Sequence, residues 1–165
     1  MTADQIVLSE DRRTVHGSAV LIGDRAVLIR GVSGAGKSRL AFDLILAGRA
    51  GQLPPVMLIG DDRVLLQAGE GGLMVRPAPE LIGLIEIRGL GIRRCDFAAE
   101  GRVALVVDLA AADAARLPLP SSLRTQIHGV ELARIPVAQN FAALPLVIAA
   151  LTTGEYAQDE SLPRL

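Results

Sequence analysis

Eight consecutive residues, Gly31-Val32-Ser33-Gly34-Ala35-Gly36-Lys37-Ser38, constrain this chain more than any other stretch. They fit the pattern G-x-x-x-x-G-K-[ST], in which glycines let backbone N–H groups curl around a phosphate with no side chain in the way. The flanks agree. Ala26-Val27-Leu28-Ile29 is an apolar run of strand length, and after the loop Leu40, Phe42, Leu44 and Ile45 recur among Arg39, Asp43 and Gly48 as on an amphipathic helix. The order strand, loop, helix puts the partial positive charge of a helix N-terminus at the loop. In this pattern Lys37 reaches the outer phosphates of a nucleotide and the Ser38 hydroxyl ligates Mg²⁺.

The remaining elements are expected as follows. Residues 14–22 read as a strand, Gly23-Asp24 as a turn and residues 26–30 as a second strand, a hairpin that feeds the loop. The helix runs from Lys37 to Ala47 and stops near Gly48. Residues 50–55 form a loop. Val56–Ile59 is a buried strand ending at Gly60-Asp61-Asp62, and short strands follow at 64–66 and 73–75. Residues 76–79 read as rigid loop, Leu84–Ile87 as strand, and Val103–Val107 as a buried strand ending in Asp108. A short helical turn is expected over Ala110–Arg116, loop over 118–122, a strand over 130–135 and a last helix over Asn140–Leu151 despite Pro145. From Thr152 the tail is polar and expected to fray. Hairpins together with a βαβ element imply an α/β fold with a mixed sheet. At 165 residues the chain reads as one domain.

Composition narrows the partners. A net charge of -1 gives no electrostatic reason to bind nucleic acid or a membrane surface. Three Phe, one Tyr and no Trp leave little for stacking on single strands. The single cysteine, Cys95, cannot form an internal disulfide, which fits a reducing, cytoplasmic compartment; it sits in no known cysteine motif and reads as a packed or exposed thiol. Met1–Ser9 lacks the pattern of a signal peptide, and no stretch reaches the length of a membrane span.

A loop of this kind needs an acidic residue at the end of a neighbouring strand. Two strand ends compete, Asp61-Asp62 and Asp108, and spacing alone does not choose between them. Asp108 fits the apolar-strand-then-Asp pattern better, yet a lone Asp there is commonly a strand end or cap. Adjacent carboxylates repel and need a cation or donors nearby, so Asp61-Asp62 is the less easily dismissed. Glu86 stands inside an apolar run, followed by Arg88, Gly89 and Gly91. A buried Glu must be paired or metal-bound, or it pairs with Arg88 on the same strand face. His16, before Gly17 in a strand, reads as structural rather than catalytic on its own.

Taken together, Val15-His16-Gly17, the loop, Gly60-Asp61-Asp62, Ala78-Pro79 and Ile85-Glu86-Ile87-Arg88-Gly89-Leu90-Gly91-Ile92 resemble the catalytic domain of the HPr kinase/phosphorylase family. Weaker matches are Ala115-Arg116-Leu117, Ile127 to Glu131 and Ile135-Pro136-Val137; the resemblance spans about residues 14–151, and Glu86–Ile92 is its most specific piece. It implies a P-loop kinase domain similar to the nucleotide-binding part of phosphoenolpyruvate carboxykinase, assembled as a hexamer. The implied activity is phosphorylation of a serine of HPr, the phosphocarrier of the bacterial sugar phosphotransferase system, from ATP and Mg²⁺. It implies Lys37 on the transferred phosphate, Ser38 and Glu86 on Mg²⁺, Asp61 as proton acceptor, and His16 and Arg116 at catalytic positions. The family's Pro-Gly-Arg-Asn run is here Val137-Ala138-Gln139-Asn140, without the arginine, so the resemblance carries phosphorylation further than its phosphorolytic reversal. About a dozen residues precede the match, as in short forms of the family that lack the N-terminal domain. A P-loop kinase for a small molecule and a nucleotide-responsive binding module are the alternative readings.

Overall fold

The computed structural model describes residues 14–154. The expectations for Met1–Ser9 and for the tail beyond Gly154 lie outside the described residues.

The loop is placed by three strands that run the same way. Strands β1 (Thr14–His16), β2 (Ser18–Ile22), β3 (Arg25–Arg30) and β4 (Val56–Gly60) open the chain around helix α1 (Lys37–Arg49). Then come β5 (Arg63–Gly69), β6 (Gly72–Pro77), β7 (Leu84–Ile87), β8 (Gly91–Arg94) and β9 (Gly101–Asp108). Strands β10 (Arg124–Ile127) and β11 (Val130–Pro136) and helix α2 (Ala143–Thr152) complete it. The main sheet follows the order β1-β5-β6-β9-β3-β2-β4. Strand β2 is antiparallel to both β3 and β4, so β3 and β4 point the same way, and β9 is parallel to β3. The carboxyl ends of β3, β4 and β9 therefore share one rim, where open α/β sheets bind ligands.

Strand β9 divides one of its edges. Its first two residues pair antiparallel with β6, and residues 105–108 pair parallel with β11. The mixed sheet expected from hairpins and a crossover is thus present, curled so that two apolar clusters form on its two faces. On one face α1 buries Leu40, Ala41, Leu44 and Ile45 against Val27, Ile29 and Leu105. On the other, Leu28, Ile59, Val64, Leu73 and Val106 pack together. Helix and sheet approach closely: a Cβ on Gly48 would stand 2.7 Å from Val56.

Several boundaries differ from expectation for local reasons. The strand expected over 14–22 is two strands, because Gly17 breaks it where a Cβ would meet the Ile29 carbonyl at 3.1 Å. Strand β1 then pairs with β5 rather than β3. Strand β6 runs on through Arg76 and Pro77, expected as loop. No helix forms over Ala110–Arg116; Ala110 adopts a φ of 53° and the segment is turns. Strand β10 was not expected; it pairs with β11 through His128-Gly129, both at positive φ as a tight two-residue hairpin needs. Helix α2 starts three residues later than expected, which puts Pro145 in the first turn, where its missing N–H has no helical acceptor to lose. Neither helix is long and apolar enough to cross a membrane.

Candidate active site

The loop leaves β3 and enters α1 through Gly36, whose φ of 100° is one that residues with side chains rarely adopt. Its N-cap, Gly36, supplies no capping side chain, which leaves the first N–H groups of the helix to an anion. Gly31 is needed for space: a Cβ there would lie 3.1 Å from both Ala35 and Leu109. Lys37 is folded back onto its own loop, its Nζ donating to the Gly31 and Val32 carbonyls at 2.8 and 3.1 Å. Its side chain thus spans the loop from within and lines the cleft above it.

That cleft has a volume of about 1100 Å³ and holds most of the expected site. Val32 to Ser38 line it, together with His16, Asp62, Glu86, Arg88 and residues 137–144. Arg116 does not line it; it stands exposed on the turns after β9. Cys95 lies outside it too, and burial, with Asp96 adding to it, pushes its thiol up, away from the thiolate a nucleophile needs.

The two aspartates at the end of β4 divide in role. Asp61 is 3% exposed and both its oxygens are engaged. Oδ1 accepts from Ser18 Oγ at 2.6 Å and Ser38 Oγ at 2.8 Å; Oδ2 accepts from Ser38 Oγ at 2.9 Å and from the Glu86 backbone N–H at 3.0 Å. One carboxylate thereby joins β2, α1 and β7. Asp62 has the opposite surroundings. Its side chain is 61% exposed, it lines the cleft, and His16 Nδ1 stands 4.0 Å from its Oδ1. Its φ is 65°, an uncommon conformation for a side-chain-bearing residue, and strain of that kind gathers at functional positions. The Gly17 N–H holds the turn by donating to the Asp62 carbonyl at 3.1 Å.

Asp108 is at the same rim but not at the same chemistry. Burial opposes its charge, yet Arg30 and then Arg134 outweigh that, and its pKa lies below the ordinary carboxylate value. Arg30 donates twice, at 2.7 and 2.8 Å, and Arg134 donates through Nε. Arg134 also donates to Asp113 and to the Ser122 carbonyl, and its two carboxylate partners, Asp113 foremost and then Asp108, raise its own pKa. Asp108 is thus the centre of a clamp, held by two guanidiniums.

Glu86 was expected to be buried. It is exposed, because β7 and β8 form a separate two-stranded ribbon in which Ile85 faces the core and Glu86 faces the cleft. Ser38 and Glu86 are oxygen donors, as a hard divalent cation requires. The Ser38 hydroxyl spends its proton on Asp61, which leaves its lone pairs for such a cation. Among the described residues no group of three or more His, Cys, Asp or Glu converges as a metal site; Mg²⁺ beside phosphates needs only one or two carboxylates.

Sequence reasoning missed Ser18, Arg134 and Phe141. Ser18 and Arg134 each carry a signal, a polar residue on an otherwise buried strand face. Phe141 lines the cleft from a segment with no periodicity to flag it.

Comparison with known proteins agrees with this architecture. Residues 8–150 match the family model described as HPr serine kinase C-terminal domain. An HPr kinase/phosphorylase of Streptococcus thermophilus is 45% identical over 83 residues, which is 50% of this chain and 25% of that protein. One from a Geobacillus species is 41% identical over 103 residues, 58% of this chain and 31% of that protein. The chain therefore spans about a quarter to a third of the length of these curated relatives. Among solved structures, the HPr(Ser) kinase/phosphatase from Coxiella burnetii superposes with a TM-score of 0.64 at 25% identity, covering 84% of this chain and 87% of that one.

Proposed function

The chain belongs to the HPr serine kinase C-terminal domain family, and we propose that it transfers the terminal phosphoryl group of ATP to a serine hydroxyl of the phosphocarrier protein HPr. The observation that carries this reading is the cleft itself. Its lining includes a phosphate loop with its lysine, an exposed carboxylate, Asp62, and two oxygen donors for a cation, Ser38 and Glu86. A loop that only gripped nucleotide would have no use for that carboxylate.

In the transfer, the serine Oγ forms a bond to phosphorus as the bond from phosphorus to the leaving oxygen of ADP breaks. The hydroxyl proton passes to Asp62, which can reach a ligand in the cleft. The resemblance assigns this proton to Asp61; burial and four hydrogen bonds to Asp61 support moving it one residue on. Asp61 then positions Ser38. His16, beside Asp62, orients that carboxylate. Lys37 leaves its loop carbonyls to neutralise the transferring oxygens, with Arg88 and Arg39 also at the cleft, whereas Arg116 does not line it. Ser38 and Glu86 would hold Mg²⁺, which supplies further neutralisation of phosphate charge when bound. Most of the rate gain is positioning and electrostatics.

Residues 137–140 line the cleft without a cationic side chain, so this stretch offers inorganic phosphate no guanidinium, and we propose that phosphorylation dominates over reversal. The same proposal takes the chain as one catalytic domain, acting in the cytoplasm and assembled as a homo-oligomer, a hexamer by the family resemblance. The exposed Leu117 and Leu119 support association. A mass-shift assay with Mg-ATP and HPr tests the activity. One added phosphate on a serine, lost in Lys37→Ala, is expected; no shift with nucleotide still bound would overturn it and point to a small-molecule acceptor.

A further inference from the structure

The transfer step leaves some of the residues that line the cleft unexplained. One of them is a largely exposed aromatic ring. Phe141 is 63% exposed although the chain has only three Phe and no Trp, and it lines the cleft. Its exposure is built rather than frayed. Before it, Val137 is buried and its N–H donates to the Asp108 carbonyl at 2.8 Å, while the Ala111 N–H donates to the Val137 carbonyl at 2.9 Å. At the ring itself, the Phe141 N–H donates to the Ala138 carbonyl at 3.1 Å, and Asn140 holds a φ of 62°. After it, Ala143 and Leu144 pack against the core beneath α1. A short turn fixed at both ends thus holds a large apolar face towards solvent.

A second Phe, Phe42, lines the same cleft from α1, five residues past Lys37, or about 7.5 Å of helix rise. Two of the chain's three Phe therefore border the cleft that the phosphate loop also lines. Beside Phe141, Gln139 and Asn140 are exposed at the cleft, with amides that can donate and accept. An aromatic face flanked by amides, in the same cleft as a phosphate loop, suits a planar heteroaromatic base.

We infer that Phe141 is the nucleobase platform of this cleft, stacking on the base of the nucleotide whose phosphates lie in the loop Gly31 to Ser38. This inference rests on the nucleotide-kinase reading above. Its consequence is that part of the affinity for ATP comes from the base and is absent for a base-free polyphosphate.

The test compares Mg-ATP with inorganic tripolyphosphate in equilibrium binding to the full chain, Phe141→Ala and Phe141→Trp. Phe141→Ala is expected to weaken ATP about tenfold and to leave tripolyphosphate within about twofold. Phe141→Trp is expected to keep ATP affinity, and its tryptophan, the only one in the chain, should be quenched by ATP and not by tripolyphosphate. Equal ATP affinity of Phe141→Ala and the parent, with no quenching in Phe141→Trp, would overturn the inference while leaving the kinase reading intact. A loss confined to the KM for HPr would also overturn it and assign the ring to partner docking. Failure of the parent chain to bind either ligand would overturn the phosphate-site reading and this inference with it.

Discussion

Strands β4 and β9 end at the same rim of the sheet, and each delivers an aspartate there, but the two ends do opposite things with the charge. At β9, Asp108 meets two guanidiniums, so its charge is cancelled inside the protein and the group serves as a clamp. At β4, Asp61 is held by two hydroxyls and an amide, which solvate its charge without cancelling it, and Asp62 keeps its carboxylate in the cleft. An acidic residue after a buried strand is therefore no guide to chemistry by itself. The partner type decides: cationic donors consume the charge, and neutral donors leave it available to a cation or a proton.

The contrast can be broken first at Asp62. Asp62→Asn is expected to lower the rate of transfer to HPr about a thousandfold, with nucleotide affinity nearly unchanged, as loss of a general base would. Single-turnover kinetics beside equilibrium binding would show it; near-normal transfer would remove the base from this position. Asp61→Asn should differ in kind, weakening both Mg-ATP binding and folding, because it disturbs Ser38.

Asp108→Ala comes next. It leaves Arg30 and Arg134 half-buried without their shared anion, and is expected to cost about 3 kcal/mol of stability in denaturant melts. If Asp108→Ala instead abolished transfer in a fully folded protein, the clamp reading would fail. Acid sharpens the same point. The folded pKa of Asp108 lies below the ordinary 3.8, so its stabilising contribution is present above that value and is lost as pH falls through the folded pKa. Below about pH 4 the parent should lose stability more steeply than Asp108→Asn, measured by urea midpoints across pH. The smallest effect belongs to Ser18→Ala. It removes one of several donors to Asp61 and should cost about 1 kcal/mol, with transfer largely kept.

What was legible in the sequence was what depends on neighbours in the chain. The loop, its strand and its helix follow from glycine spacing and from apolar periods of two and 3.6, and the family resemblance followed from local motifs. What failed depends on distant contacts. The Ala-rich stretch 110–116 has the composition of a helix, but Asp113 is held by Arg134 from β11 and the segment stays in turns. Strand β10, Arg124–Ile127, is too polar to show an apolar period; its alternating exposure becomes visible only against β11. Glu86 looked buried because apolar residues flank it, while the ribbon that turns it outward is set by pairing with β8. Whether Asp61 or Asp62 faces the cleft depends on a single positive φ that no sequence pattern prints.

The order of strands in the sheet also bears on synthesis. Strand β3, which carries the phosphate loop, lies between β2 and β9, and the pair that joins Arg30 to Asp108 spans 78 positions of chain. As the nascent chain leaves the ribosome, β2 and α1 can assemble on β3 early, but its second edge stays open until β9 has emerged. Arg134, which completes the clamp, arrives later still. The cleft at the phosphate loop is therefore among the later parts of this polypeptide to mature, and the edge of β3 stays open to non-native pairing until then.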